Sequence, residues 1–229
     1  MMGRVTTLTC AALLCLDTTA LKTQETPRDV ARGYFDALLT HQWDTASALV
    51  DPVALTGIRD QTLAVLAYVA GHGDEFRRMM SEPIHGSGAL TAFNIGLPDA
   101  ANVAKYGQWR VPLYPGSPTI MNLATLPPVK LLAQSYEATR VICMDGDCSP
   151  FDDTQQRTII RTVVNGDSTA RVIYRRERVD TPDLQAAARN DSLDLRRRDG
   201  KWRVELTYPP IPSLFTLVDK KMGIQPPPK

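Results

Sequence analysis

Cys143 and Cys148 bracket the short run Met144-Asp145-Gly146-Asp147, and a thiol pair at that separation could do one of three things. A hairpin turning at Gly146 would set the two cysteines on facing strand positions. Their Cα atoms would then fall within the ~4.4–6.8 Å a disulfide requires. In an oxidising compartment we expect the bond to form, and so short a loop would contribute at most ~2–3 kcal/mol. A metal centre would need two further ligands, and no histidine follows His85. A redox couple would need the Cys-x-x-Cys spacing, which is absent. His41, His72 and His85 share no i, i+4 relation, so they are expected as surface or cap residues and not as metal ligands. Ser87 sits in His85-Gly86-Ser87-Gly88, but the strand-to-helix context of a nucleophile elbow is missing and a loop is the better account. No catalytic residue, metal ligand or cofactor is assigned.

Arginines in the downstream half have more to say. A two-residue turn at Asn165-Gly166 would pair 163 with 168, 161 with 170, 159 with 172 and 157 with 174. One face would then combine Val163, Ile159, Val172 and Tyr174 with Arg157 and Arg161. On a concave face those guanidinium groups could hold a carboxylate or phosphate in bidentate fashion. Otherwise they pair with Asp or Glu, or reach solvent at the sheet edge. Arg175, Arg176 and Arg178 read as the solvated end of a strand. Asp152-Asp153 falls on a loop, and no two acids can be set on opposite walls of a pocket, so acid–base chemistry has no support.

Positioning these residues needs a folded scaffold, and the composition supplies one. The chain has 229 residues, 43% hydrophobic and 22% charged, which is enough for a real core. Lys+Arg is 26 against Asp+Glu 25, a net charge of +1 that argues against non-specific nucleic-acid binding. Residues 1–20 read as a secretory signal: Arg4, then an apolar run Val5–Leu16 too short to span a bilayer, then Thr18-Thr19-Ala20. Export to the periplasm or outside the cell is therefore expected. The membrane would be met only through that signal, because neither Cys10 nor Cys15 follows the small residue a lipid-modification site wants.

After a linker at 21–26, Thr26-Pro27 with Asp29 marks a helix start, and Val30, Ala31, Tyr34, Phe35 and Leu38 recur at helical spacing. A second helix is expected over Thr45–Val50, and a third amphipathic helix that Gly71-His72-Gly73 stops. Residues 71–130, rich in proline and glycine, read as an irregular insertion with short helices at Glu75–Ser81 and Pro98–Tyr106. From Leu131 the period changes to two, with strands expected at Leu131–Cys143, Gln155–Val164 and Ser168–Val179. A last hairpin, Ser192–Arg198 with Lys201–Tyr208, turns at Asp199-Gly200. It pairs 195 with 204, 193 with 206 and 197 with 202, which puts Leu193, Leu195, Trp202, Val204 and Leu206 on one face. Residues 209–229 form an extension with a short helix at Ser213–Met222 and a Pro-rich tail.

Helices followed by an antiparallel sheet make this an α+β chain. Ala31-Arg32-Gly33-Tyr34-Phe35-Asp36-Ala37-Leu38 and Gln42-Trp43-Asp44-Thr45-Ala46-Ser47-Ala48-Leu49-Val50-Asp51-Pro52 resemble the opening of NTF2-like (cystatin-like α+β roll) proteins. The hairpin around Asp199-Gly200 resembles their closing strands. The resemblance implies one domain over 27–208, with N-terminal helices packed on a curved antiparallel sheet of about four to five strands around a conical pocket. Such proteins commonly place a strand after the second helix, and their isomerase members carry a general-base carboxylate there. Here Asp51-Pro52 leads into a third helix, so no catalytic Asp carries over. The expected role is binding of a small molecule or a protein partner at a pocket lined by Tyr34, Tyr174 and Trp202, with Arg161 as polar anchor. The alternative is an isomerase, lyase or hydrolase using the same pocket. The resemblance also allows a homodimer.

Overall fold

The Thr26-Pro27 signal opens the first helix, α1 (Pro27–Leu39). Thr26 Oγ1 accepts the Asp29 N–H at 3.2 Å, and the Asp29 carboxylate accepts from the Thr26 N–H and hydroxyl. This reciprocal cap satisfies N–H groups the helix cannot pair by itself. The computed structural model describes residues 25–81, 100–140, 155–178, 189–208, 210, 217 and 223–228. The expected signal at 1–20, His85 and Ser87, Cys143 and Cys148, Asp152 and Asp153, and all but Leu217 of the helix expected at Ser213–Met222 lie outside the described residues.

Two short turns carry the chain from α1 to α2 (Trp43–Ala48) and α3 (Pro52–Ser81). The expected stop at Gly71-His72-Gly73 does not occur, and α3 runs on to Ser81. Glycine costs a helix about 1 kcal/mol, and tertiary packing overrides that here. The Tyr106 ring from α4 (Ala100–Tyr106) lies over Gly71, where a Cβ would come within 2.8 Å of it. His72 stacks on Tyr68 one turn earlier and bonds the Tyr68 carbonyl through Nδ1 at 3.0 Å.

Residues 100–140 are also more ordered than the proline count implies. Helix α5 (Ile120–Thr125) is capped by Thr119, and α6 (Pro128–Arg140) follows. Leu66, Val69, Val111, Tyr114, Ile120, Leu123 and Leu131 form a second buried cluster against α3. The C-terminal segment docks beside it, with Arg110 and Gln225 exchanging backbone hydrogen bonds at 2.9 Å.

The strand expected at Leu131–Cys143 is a correction: its described residues belong to α6. Leu131, Leu132, Ser135, Tyr136 and Thr139 are buried at intervals of one face of a helix, and Pro128 sits at its first position, where proline is tolerated. The α2–α6 packing that results has no counterpart in the expected fold.

The sheet is an antiparallel meander, β1 (Gln155–Asn165), β2 (Thr169–Arg178), β3 (Arg189–Arg198) and β4 (Lys201–Glu205), in that spatial order. The protein is thus α+β, with helices and a four-stranded open antiparallel sheet. At the β3–β4 hairpin, Leu195 pairs with Val204 and Arg197 with Trp202 across a turn whose Asp199 and Gly200 both have positive φ. That conformation matches the twist of the strands.

The β1–β2 register differs from the expected one. A three-residue loop, Gly166-Asp167-Ser168, replaces the two-residue turn, so Val163 faces Arg171 and Thr162 faces Val172. A bulge between Ile159 and Arg161 then brings Ile159 opposite Tyr174 and Arg157 opposite Arg176. This register sets Ala170, Val172 and Tyr174 against α1 in one core with Leu193, Leu195, Trp202 and Val204. The outer edge of β4 meets residues 49–51, since Val204 accepts the Asp51 N–H at 2.8 Å and donates to Leu49 O at 2.9 Å.

Candidate functional site

Just beyond the end of α1 the backbone takes a conformation that geometry disfavours. His41 has φ 57, in the left-handed region, where glycine is the usual occupant. The exit is closed by two hydrogen bonds, His41 N–H to Leu38 O at 3.3 Å and Gln42 N–H to Ala37 O at 2.8 Å. The turn carries the His41 ring onto Trp43, with centroids 5.1 Å apart and planes 29° apart. These rings form one wall of a surface cleft of about 730 Å³.

Helix α6 forms the facing wall. Lys130, Gln134 and Glu137 fall at i, i+4 and i+7, so they make one stripe of the helix and all line the cleft. The Trp43 indole N–H donates to Glu137 Oε2 in a short contact. Lys130 Nζ donates to Asp44 Oδ2 at 2.8 Å, and Arg140 lies 3.7 Å from Glu137 Oε1. Gln134 Oε1 is buried and has no hydrogen-bond partner among the described residues. Thr45 and Gln42 complete the polar rim.

An aromatic chain leads inward from this cleft. Trp43 lies 5.8 Å from the Tyr136 ring, and the Tyr136 and Tyr34 hydroxyls share a hydrogen bond of 2.7 Å in the core. Phe35 follows, 6.1 Å from Tyr34 and 4.7 Å from Tyr174, with the Arg157 guanidinium 5.9 Å from its centroid. Burial raises the Tyr34 hydroxyl well above the ordinary phenol range, against the opposing pull of the Tyr136 hydrogen bond and the Arg157 charge. Burial likewise raises Tyr136, and its Tyr34 neighbour adds to the effect. Tyr174 is raised by burial first and by the nearby Asp191 charge second. All three phenols stay protonated at neutral pH, so they serve as hydrogen-bonding and packing groups.

The four residues expected to line a pocket are placed differently from one another. Tyr34 (2% exposed), Tyr174 (8%) and Trp202 (7%) are packed into one core with α1 filling the face of the sheet. Tyr34 and Tyr174 meet through Phe35. Trp202 lies at the opposite end of the strands, under the Arg197 guanidinium at 6.0 Å. Arg161 pairs with Ile173 and is exposed on the other face, because the bulge after Ile159 turns it outward. Arg157 and Arg176 share the inner face with Tyr174, and Arg176 stands 4.0 Å from Asp191. The cleft residues His41, Trp43, Lys130, Gln134 and Glu137 were not expected as a group. Their signal is the polar stripe on α6, visible only when residues 128–140 are read with a helical period.

Among the described residues no cluster of three or more His, Cys, Asp or Glu could hold a metal ion, and no helix is long and apolar enough to cross a membrane. Compared with protein-family models, curated proteins and solved structures, the chain matches none of them.

Proposed function

We propose that this chain is an exported α+β roll of the NTF2-like type that binds a small molecule in the cleft between α2 and α6. The observation that carries this reading is the convergence of an aromatic wall and several polar side chains on one concavity of drug-sized volume. A left-handed histidine at its rim adds to it, since backbone strain of this kind collects where function needs a fixed side chain. The helices-then-meander order and the packing of α1 along the sheet support the roll. The signal-like residues 1–20 and the Cys143/Cys148 spacing support export.

The pocket is thereby moved from the sheet face to the outer side of the helices. Tyr34 and Tyr174 act as packed support behind it, through Tyr136 and Trp43. Ligand-observed NMR of the chain against a chemically mixed panel of small molecules tests the reading. We expect at least one saturable binder, with binding lost in Trp43→Leu while the melting transition is retained. A panel with no binder, or a binder indifferent to Trp43→Leu, overturns the cleft as the site. Chemical turnover of a bound compound would replace binding with the enzymatic alternative.

A further inference from the structure

We infer that the outer face of the β3–β4 hairpin binds a phosphate-monoester dianion between Lys201 and Arg203, at a site separate from the cleft. Leu195, Trp202 and Val204 are buried on the inner face, so strand alternation puts Arg196, Arg198, Lys201 and Arg203 on the other. The register sets Arg196 directly opposite Arg203 and Arg198 directly opposite Lys201. Facing positions stand about 5 Å apart and successive ones on a face about 7 Å, so four cations share one small patch. Like charges directly opposite destabilise a sheet, and here two such rungs are adjacent.

The fold supplies counter-charges to half of this patch. Arg196 Nη2 donates to Glu205 Oε1 at 2.8 Å, and Arg198 Nε to Asp51 Oδ2 at 2.6 Å. Asp194 is occupied by Arg171 at 2.6 Å. Arg203 gives its Nη1–H to the Ala48 carbonyl at 2.8 Å, but neither it nor Lys201 forms an ion pair among the described residues. Asp167 and Asp199, in the turns beside the patch, form no ion pair with it either. Arg197 lies on the inner face, over Trp202.

Two unpaired cations at i and i+2 on one face select the ligand. A single carboxylate or a phosphodiester brings one negative charge. A phosphate monoester brings close to two at neutral pH, on three oxygens of one tetrahedral centre. Two of them can take the Arg203 guanidinium fork and the third the Lys201 ammonium. The ligand would also relieve the repulsion within both rungs, so binding should stabilise the fold. An extended peptide has no free edge here, because residues 49–51 already bond the outer edge of β4.

The test is an NMR titration of the isotope-labelled full-length chain in phosphate-free buffer, followed at the backbone amides of Gly200, Lys201 and Arg203. Glycerol 3-phosphate is the monoester, dimethyl phosphate the diester, succinate the dicarboxylate, and sulfate a dianion whose charge does not change with pH. At neutral pH the monoester is expected to shift these amides saturably, at least about fivefold more tightly than dimethyl phosphate or succinate. Its second pKa is about 6, so lowering the pH to about 5 should weaken it several-fold and leave sulfate unchanged. Lys201→Gln and Arg203→Gln should each weaken the monoester at least about fivefold. Arg28→Gln, which removes the same charge from exposed α1 surface, should leave it unchanged. Without ligand, Lys201→Gln should melt no lower than the parent, and glycerol 3-phosphate should raise its melting temperature less. Phosphatidylcholine vesicles carrying phosphatidic acid, compared with phosphatidylglycerol, distinguish a lipid headgroup from a soluble monoester; capture by the former, or of glycerol 3-phosphate, sustains the site and assigns its source. The inference is overturned if neither monoester binds, if the diesters bind as well, if sulfate weakens with pH as much as the monoester, or if Lys201→Gln is indifferent. None of these outcomes bears on the cleft.

Discussion

Arg198, the last residue of β3, donates its Nε–H to both carboxylate oxygens of Asp51, at 2.8 and 2.6 Å, joining positions 147 residues apart in the chain. Asp51 precedes α3, and its Oδ1 also accepts the Val53 N–H at 2.9 Å, so one carboxylate caps a helix and anchors a strand. The pair is asymmetric: the Asp51 side chain is 2% exposed and that of Arg198 is 38%. Removing the arginine strands a buried charge, whereas neutralising the acid leaves a guanidinium that water can reach. Arg198→Ala is therefore expected to cost about 2–4 kcal/mol and Asp51→Asn about 1–2 kcal/mol. Urea unfolding with unchanged m-value checks this. Equal costs would mean the acid is not the committed partner.

The Tyr34–Tyr136 hydroxyl pair should behave as a unit. Each single Phe variant takes this hydrogen bond away from the buried hydroxyl that remains, at a cost of about 1–2 kcal/mol. The double variant removes both groups at once and should cost less than the sum of the singles. The full cycle of urea midpoints measures the coupling. Strict additivity would show that the two hydroxyls do not depend on each other.

Alkaline pH should expose the same burial. The folded-state phenols of Tyr34, Tyr136 and Tyr174 are raised, and Tyr114, buried against Ser135, is pushed up to about 12. Above the ordinary phenol value of 10.0 the unfolded chain loses protons that the folded chain keeps. The unfolded state then binds fewer protons, so stability falls as pH rises. The contribution is complete below that value and is lost as pH climbs through the folded values. Midpoints measured from neutral to alkaline pH should be flat and then decline, with a shallower decline in Tyr114→Phe. An identical slope in that variant would contradict the burial of Tyr114.

The contrast between the two hairpins indicates what a sequence can express. Around Asp199-Gly200, local turn chemistry and the alternation of Leu193, Leu195, Trp202 and Val204 ask for the same register, and that register forms. Around Asn165-Gly166 the turn signal alone asks for a two-residue loop. Packing of Val172 and Tyr174 against α1 selects a longer loop and a bulge instead, and Arg161 leaves the inner face as a result. Residues 131–140 differ from the hairpins in kind: Leu131, Leu132, Ser135, Tyr136 and Thr139 are already spaced for one helical face, a period of two does not separate apolar from polar there, and contacts with α2 and α3 hold the helix in place. The cleft depends on that helix, so its Lys130–Gln134–Glu137 stripe is legible only with a helical period, whereas Tyr34 and Trp202 lie on elements whose strong local pattern already turns them inward. Gly71 shows the same limit: its role is set by Tyr106, which lies far along the chain.

His41 offers the sharpest test of strain at the cleft. Inside a helix, alanine is more favourable than glycine by about 1 kcal/mol. At φ 57 the order should reverse, because a Cβ there crowds the following carbonyl and glycine has none. His41→Gly is thus expected to be more stable than His41→Ala by about 1 kcal/mol and to stay close to the parent chain, since relief of strain offsets the lost stacking on Trp43. Both variants should bind cleft ligands less well than the parent, because both remove the ring that forms one wall. A thermal-unfolding series of the three chains alongside a binding titration separates the two effects. If His41→Gly were the less stable of the pair, the left-handed exit from α1 would carry no strain. The histidine would then be held there by packing alone.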